Sequence, residues 1–189
     1  MSSIVIKGDT SGQIEIAAPA VAGSTTLTLP TGSGSILKDD GSGNLSVSGA
    51  ITGTGGIYLG GTAAANLLDD YEEGTFTPSL TPSSGSITTY ANQLGYYTKV
   101  GNRVFCTMRI SVTNIGTASG DMFLAGLPFA NAQSYRVAGY GREDGFLGAQ
   151  LQYWINGSAT TGTIRQYNDS NVGYNNSMNL LLIANYFTS

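Results

Sequence analysis

Apolar and polar residues alternate along many short stretches of this chain, a pattern typical of β-strands with one buried face. The clearest stretch is 103–112, where Val104, Cys106, Met108, Ile110 and Val112 alternate with Phe105, Thr107, Arg109 and Ser111. Gly101-Asn102 precedes it and predicts a two-residue hairpin turn, because both residues tolerate positive φ. Further strands are predicted at 75–78, 95–100, 121–124, 135–140, 148–155, 163–167 and 179–187, with a loop at 82–86 and turns at 144–145 and 156–157. Short strands at this spacing predict a β-sandwich or jelly roll.

The first 74 residues carry a sparser version of the same pattern. Short strands are predicted at 4–6, 13–17, 25–29, 35–37 and 45–47. Strands this short cannot bury a core within one chain, since an isolated hairpin is only marginally stable. Two arrangements would cover them: identical chains wound about one axis, or an arm laid along a large neighbouring surface. A flexible leader is the remaining alternative. The apolar residues expected to make the contacts are Ile4, Val5, Ile6, Ile14, Ile16, Leu27 and Leu29.

Aromatic residues divide the chain in two. Only Tyr58 and Tyr71 precede Gly74, whereas the other Phe, Tyr and Trp residues follow it. Large rings supply much of the area that a compact core buries. We therefore predict an extended arm over 1–74 and a compact β domain over 75–189, with one or two helical turns at 63–71 near the junction.

The charges bear on the choice of partners. Charged residues make up 11% of the 189-residue chain, and the net charge is -4. Residues 1–74 hold two basic and eight acidic side chains, whereas residues 75–189 hold six basic and four acidic ones. Neither part has a dense basic patch, so nucleic acid is not an expected partner.

No catalytic constellation stands out. The chain has no histidine, which removes the commonest general base and the Ser-His and Cys-His dyads. Glu143 and Asp144 are adjacent acids, but neighbours on a turn point apart, unlike the facing pair of a glycosidase. The single cysteine, Cys106, is expected to be buried in its strand. We therefore expect no enzymatic activity and no cofactor.

The acidic cluster Asp69, Asp70, Glu72 and Glu73 offers the hard oxygen ligands that Ca²⁺ prefers. Its spacing differs from an EF-hand loop, so a solvated or Arg-paired junction is favoured and no metal site is assigned.

No signal peptide or membrane-spanning stretch is apparent, which predicts a soluble protein made in a cytoplasm and not inserted into a membrane.

Several rings stand among Asn, Gln, Gly and Arg in the second part of the chain. Flat apolar rings with hydrogen-bonding neighbours suit a carbohydrate or a protein surface. Core or subunit-interface positions are the alternative, which applies most to Trp154 in its alternating strand. The candidates for surface recognition are Tyr140, Phe146, Tyr153, Trp154, Tyr167 and Tyr174.

Five stretches, in the leader, the junction and the β domain, resemble virion proteins of tailed bacteriophages. Residues 14–30 are similar to the leaders of such proteins, and residues 56–61 with 67–78 resemble their junction. Residues 97–104 and 126–129 resemble their β domain, whereas residues 130–189 resemble no family.

The resemblance implies a structural virion protein, made in the host bacterial cytoplasm, that forms a homotrimer and binds other virion proteins of the tail or capsid. Proteins of this kind serve as tail fibres, capsid fibres or capsid decoration proteins. In a tail fibre, the arm would anchor in the virion and the β domain would contact a host-surface glycan or protein. A decoration protein would instead stabilise the head.

Overall fold

The structure is a computed structural model that describes residues 3–7, 10–17 and 41–189. Within these ranges the chain forms β-strands and one short 3-10 helix, and no α-helix, so the predicted all-β class is confirmed. The chain divides into two compact units, Met1–Ile51 and Thr52–Ser189. The strands predicted at 25–29 and 35–37, with Leu27 and Leu29, lie outside the described residues.

The first unit contains an antiparallel hairpin of β1 (Ser3–Lys7) and β2 (Gln13–Ala17), which confirms both predicted strands. Ile4 lies opposite Ile16, and both side chains are exposed, Ile4 by 67%. Val5 and Ile6 are exposed as well. The strand predicted at 45–47 is wrong, since Leu45 forms only an isolated bridge.

The second unit begins with a two-stranded sheet of β3 (Ile57–Tyr58) and β4 (Leu67–Leu68), separated by the 3-10 helix Ala64–Asn66. Nine further strands form one large sheet. They are β5 (Tyr71–Phe76), β6 (Ser79–Ser84), β7 (Thr89–Val100), β8 (Arg103–Asn114), β9 (Ser119–Ala125), β10 (Val137–Glu143), β11 (Gln150–Ile155), β12 (Gly162–Gln166) and β13 (Asn179–Phe187). The strand order is β5-β7-β8-β13-β10-β11-β12-β9-β6, and every neighbouring pair is antiparallel.

The two edges of this curled sheet are consecutive in sequence, because only residues 77 and 78 separate β5 from β6. The long strand β7 serves both edges. Its second half pairs with β5 through the backbone, whereas its first half contacts β6 through side chains. The Tyr90 hydroxyl donates to the Leu80 carbonyl oxygen at 3.0 Å, and Gln93 Nε2 donates to the Pro78 carbonyl oxygen at 3.1 Å. One continuous sheet therefore wraps the core in place of the two separate sheets of a sandwich.

The core fills the inside of this sheet. The apolar positions predicted in 103–112 all point inward, and Cys106 is buried as expected, which raises the pKa of its thiol to about 12. The predicted hairpin turn is confirmed, with Gly101 at φ +56°. From β13, the buried residues are Leu180, Leu182, Ala184 and Tyr186.

Near the junction, one predicted helical turn is confirmed, and two other predictions differ from the structure. The loop expected at 82–86 is in part strand, since β6 continues to Ser84; Pro82 is tolerated because an edge strand can leave an N–H position unpaired. Only Ala64–Asn66 is helical within 63–71. The boundary expected after Gly74 falls inside β5, which belongs to the large sheet.

Candidate binding face

The outer side of five neighbouring strands, β7, β8, β13, β10 and β11, forms the most distinctive surface of the β domain. We call this surface the outer face. Residues directly opposite one another on paired strands share a face of the sheet, so the register defines rows across it. The central row is Tyr96, Thr107, Ile183, Tyr140 and Gln152. The next row on one side of the central row consists of Leu94, Arg109, Leu181, Arg142 and Gln150. The next row on its other side includes Thr98, Phe105 and Asn185.

Large apolar side chains on this face are open to solvent. Tyr140 is exposed by 62% and Tyr96 by 58%. The other exposed apolar members are Leu94, Phe105, Leu181 and Ile183. Contiguous apolar surface of this kind marks a binding site more often than a free surface.

Two adjoining grooves share residues of the central row and extend from it in opposite directions along the strands. The first, of about 450 Å³, is lined by Tyr96, Phe105, Tyr140 and Asn185, with Thr107 and Ile183 between them. The second, of about 480 Å³, shares Thr107, Tyr140 and Ile183 and extends to Arg142 and Leu181. Rings, hydroxyl groups and one amide therefore line a trough that runs along β8, β13 and β10, from the row of Phe105 to the row of Leu181.

Arginines stand at both ends of the trough. Arg109 and Arg142 flank Leu181 at one end, and Arg109 Nε donates to Asn179 Oδ1 at 3.1 Å. At the other end, Arg103 lies 4.4 Å from the Phe187 ring centre and Arg136 lies 5.3 Å from that of Trp154. Within the described part of the chain, none of these four guanidinium groups forms an ion pair; the pairs present there are Lys99 with Asp70 and Arg165 with Asp121.

The six sequence-predicted recognition residues do not form one site. Tyr140 is central to the outer face, and Trp154 lies half-buried on the same side under Arg136. Tyr153 is wrong as a surface candidate, because it is 1% exposed and its hydroxyl donates to the Ile183 carbonyl oxygen at 2.7 Å.

The remaining three candidates lie away from the trough. Phe146 is exposed in the loop between β10 and β11, and Tyr167 is exposed directly after β12. Tyr174 is half-buried against the core, and its hydroxyl donates to the Asp121 carbonyl oxygen at 3.0 Å.

Tyr96 and Phe105 are central residues that the sequence reasoning missed. Both lie at the outward-facing positions of an alternating strand, which polar residues usually occupy. A large ring is unusual there unless another surface covers it. That mismatch was the available signal. The register then places both rings near Tyr140, which no local pattern could have revealed.

Trp154 has a buried polar group without a hydrogen-bond partner among the described residues. Its indole N–H is buried, and no hydrogen-bond acceptor for it lies among the described residues. Trp154→Phe should therefore leave the free energy of unfolding unchanged or raise it by about 1 kcal/mol, because a buried unsatisfied donor carries a desolvation cost. Chemical denaturation of both proteins measures this difference. Trp154→Ala is the control and should destabilise the fold, since it removes the ring that Arg136 covers. A loss of more than about 1 kcal/mol in Trp154→Phe would show that the N–H has an acceptor after all.

The charged groups near the junction and in the turns are engaged in structure. Lys99 is buried and pairs with Asp70, so this acid has a lysine partner, whereas solvation or pairing with an arginine was expected. The Glu72 and Glu73 carboxylates accept hydrogen bonds from the Tyr97 and Tyr71 hydroxyl groups.

The described residues contain no group of three or more His, Cys, Asp or Glu side chains placed to hold a metal ion. None of the helices in the described part of the chain is long and apolar enough to cross a membrane. Comparisons of the chain with protein-family models, curated proteins and solved structures find no match.

Proposed function

We propose that this chain is a non-enzymatic structural protein of a tailed-bacteriophage virion, a trimeric tail fibre or appendage. Its N-terminal arm holds it on the virion, and its β domain contacts the host surface. The observation that carries the proposal is the hairpin of β1 and β2. Ile4, Val5, Ile6 and Ile16 are exposed there, so the hairpin leaves apolar side chains that another protein surface has to cover.

The chemistry of the β domain supports a binding role. The chain has no histidine. The one buried carboxylate in the described residues, Glu143, is occupied by backbone N–H groups and is not available for proton transfer. The outer face, by contrast, combines exposed rings with arginines, the residue types that are enriched at interfaces.

A capsid decoration protein is the second candidate. The exposed apolar side chains of the hairpin would be covered by a capsid surface as well as by a tail protein. In this role the arm would lie across capsomers, and the β domain would cap a three-fold site and stabilise the shell.

Incorporation into particles tests both roles. In phage that carry Ile4→Ser, Ile6→Ser and Ile16→Ser together, we expect the protein to be largely lost from purified virions, because the substitutions remove the apolar contacts of the hairpin. The matched control is Glu15→Gln, an exposed polar change in β2 that should incorporate normally. Quantitative mass spectrometry of the particles measures the amount. Wild-type incorporation of the triple variant would overturn the anchoring role of the hairpin.

A further inference from the structure

We propose that the outer face is a binding site for an acidic polysaccharide, with its rings contacting sugar units and its arginines contacting carboxylates. The proposal rests on the proposed function, since it names the class of host-surface ligand that the β domain would meet.

The arginine distribution favours an anionic ligand. The chain has five arginines and a net charge of -4, yet four of the five lie on this one face without an ion-pair partner among the described residues. Guanidinium groups match carboxylates in a bidentate geometry, which makes arginine the usual residue for carboxylate recognition. The face is therefore a local concentration of positive charge on an acidic protein.

The same charges disfavour the outer face of a second copy as the occupant. The outer face carries four arginines against two acids. Asp144 follows Arg142 and accepts a hydrogen bond from Asn179 Nδ2, next to Arg109. Glu73 on β5 lies opposite Thr98. Two outer faces stacked on one another would therefore bring together twice as many guanidinium groups as carboxylates. Like charges facing across an interface act against binding.

The spacing of the charges favours a sparsely charged ligand. Arg103 and Arg109 are six residues apart on β8, which corresponds to about 20 Å along a strand. The rows between them, which hold Thr107 and Phe105, carry no charged side chain on β7, β8, β13 or β10, and Glu73 lies beyond Thr98 on the edge strand β5. A nucleic acid has a phosphate at every nucleotide and would place several over these uncharged rows, whereas an acidic polysaccharide can carry neutral sugars between its carboxylates.

The groups along the trough suit sugars better than an acidic peptide. Tyr96, Phe105 and Tyr140 offer flat apolar rings, and the Thr107 hydroxyl group can both donate and accept hydrogen bonds, as sugar hydroxyl groups require. Asn185 accepts from Arg103 Nε through its side-chain oxygen, which leaves its amide N–H groups to donate. A peptide strand would instead add to a free sheet edge. The trough lies on the side-chain surface of β8, β13 and β10, which are paired on both sides.

Binding of the full-length protein to hyaluronan, in which a neutral sugar separates successive carboxylate-bearing sugars, tests the proposal when it is measured by calorimetry. We expect binding that weakens as salt is added, together with much weaker binding to neutral dextran. Arg142→Gln should lower the affinity about tenfold or more, because a hydrogen bond to a charged group contributes that much. Tyr140→Ala should have a similar effect through the lost ring contact. Tyr58→Ala is the control, since this exposed tyrosine belongs to the separate sheet of β3 and β4.

Several results would overturn the proposal. Binding to hyaluronan that is absent, or unchanged in Arg142→Gln and Tyr140→Ala, would show that the outer face is not the site. Tighter binding to poly-glutamate or to oligo-thymidine would identify an acidic peptide or a nucleic acid as the ligand. These outcomes are independent of virion incorporation, so the glycan site can fail while the structural role stands.

Discussion

Glu143→Gln is expected to lower the free energy of unfolding by about 4 kcal/mol, the range measured when a buried charged group loses its partners. Glu143 has no exposed surface, and its carboxylate accepts hydrogen bonds from the turn that follows β10. The donors are the backbone N–H groups of Gly145, Phe146, Leu147, Gly148 and Asn179, at 2.6 to 3.2 Å. This single side chain therefore ties the turn between β10 and β11 to the start of β13.

The substitution is conservative in shape but not in chemistry. The glutamine amide nitrogen would point an N–H donor at backbone donors, and the remaining oxygen cannot accept all of their hydrogen bonds. Asp144→Asn is the matched control, because Asp144 is exposed and bonds the Asn179 side chain, so its change should cost less than about 1 kcal/mol. Urea denaturation of the three proteins measures both effects. Equal stability of Glu143→Gln and Asp144→Asn would contradict the structural role of Glu143.

The stability of the protein at low pH should also depend on Glu143. Burial alone would raise the pKa of Glu143, but the N–H groups of Leu147 and Asn179, with those of Gly145 and Phe146, outweigh burial and hold the pKa below its ordinary value. A carboxyl with a lower pKa in the folded state stabilises the fold above its unfolded pKa of about 4.3 and loses this contribution as the pH falls through the folded pKa. The unfolding midpoint of the wild type should therefore fall more steeply below about pH 4 than that of Glu143→Gln.

Tyr153→Ala is expected to lower the free energy of unfolding by about 4 kcal/mol, as other large-to-small aromatic substitutions in cores do. The ring projects from β11 across Gly139 of β10, where a side-chain Cβ would come within 2.2 Å of the ring. Its hydroxyl reaches the Ile183 carbonyl oxygen on β13. One side chain thus spans three neighbouring strands of the sheet.

Two variants separate the ring from its hydroxyl group. Tyr153→Phe should cost only about 1 kcal/mol, the typical net contribution of one hydrogen bond. Tyr167→Ala removes an exposed tyrosine and should change the stability by less than about 0.5 kcal/mol. Thermal and chemical unfolding measure the series. A cost for Tyr153→Ala no larger than that for Tyr167→Ala would contradict the buried position of Tyr153.

Local alternation was sufficient to predict the strands whose two faces differ. The last strand, β13, begins and ends where the sequence pattern predicts, because buried Leu180, Leu182 and Ala184 alternate with residues that face outward. The same alternation predicts that Tyr153 is buried, because Leu151 and Ile155 lie on the same face of the strand. The error came from choosing rings by their polar neighbours in sequence, although adjacent residues of a strand, such as Tyr153 and Trp154, point to opposite faces.

The features that were not predicted depend on the order of the strands in the sheet. The polar first half of β7, with Asn92 and Gln93, was missed because its side chains serve the junction with β6 and show no apolar alternation. The binding face joins Tyr96, Phe105 and Tyr140 from three different strands. Strand β13 separates β8 from β10 in the sheet although it is last in the chain, and no local pattern contains that order.

Imaging of virions that carry a gold label on the C-terminal β domain tests the central claim, that this chain is a structural component of a phage particle, most directly. The account predicts one label position per appendage at the tail. Label spread over the head would identify the protein as a decoration protein, the second candidate. Particles without label, purified from cells that make the labelled protein, would contradict the claim.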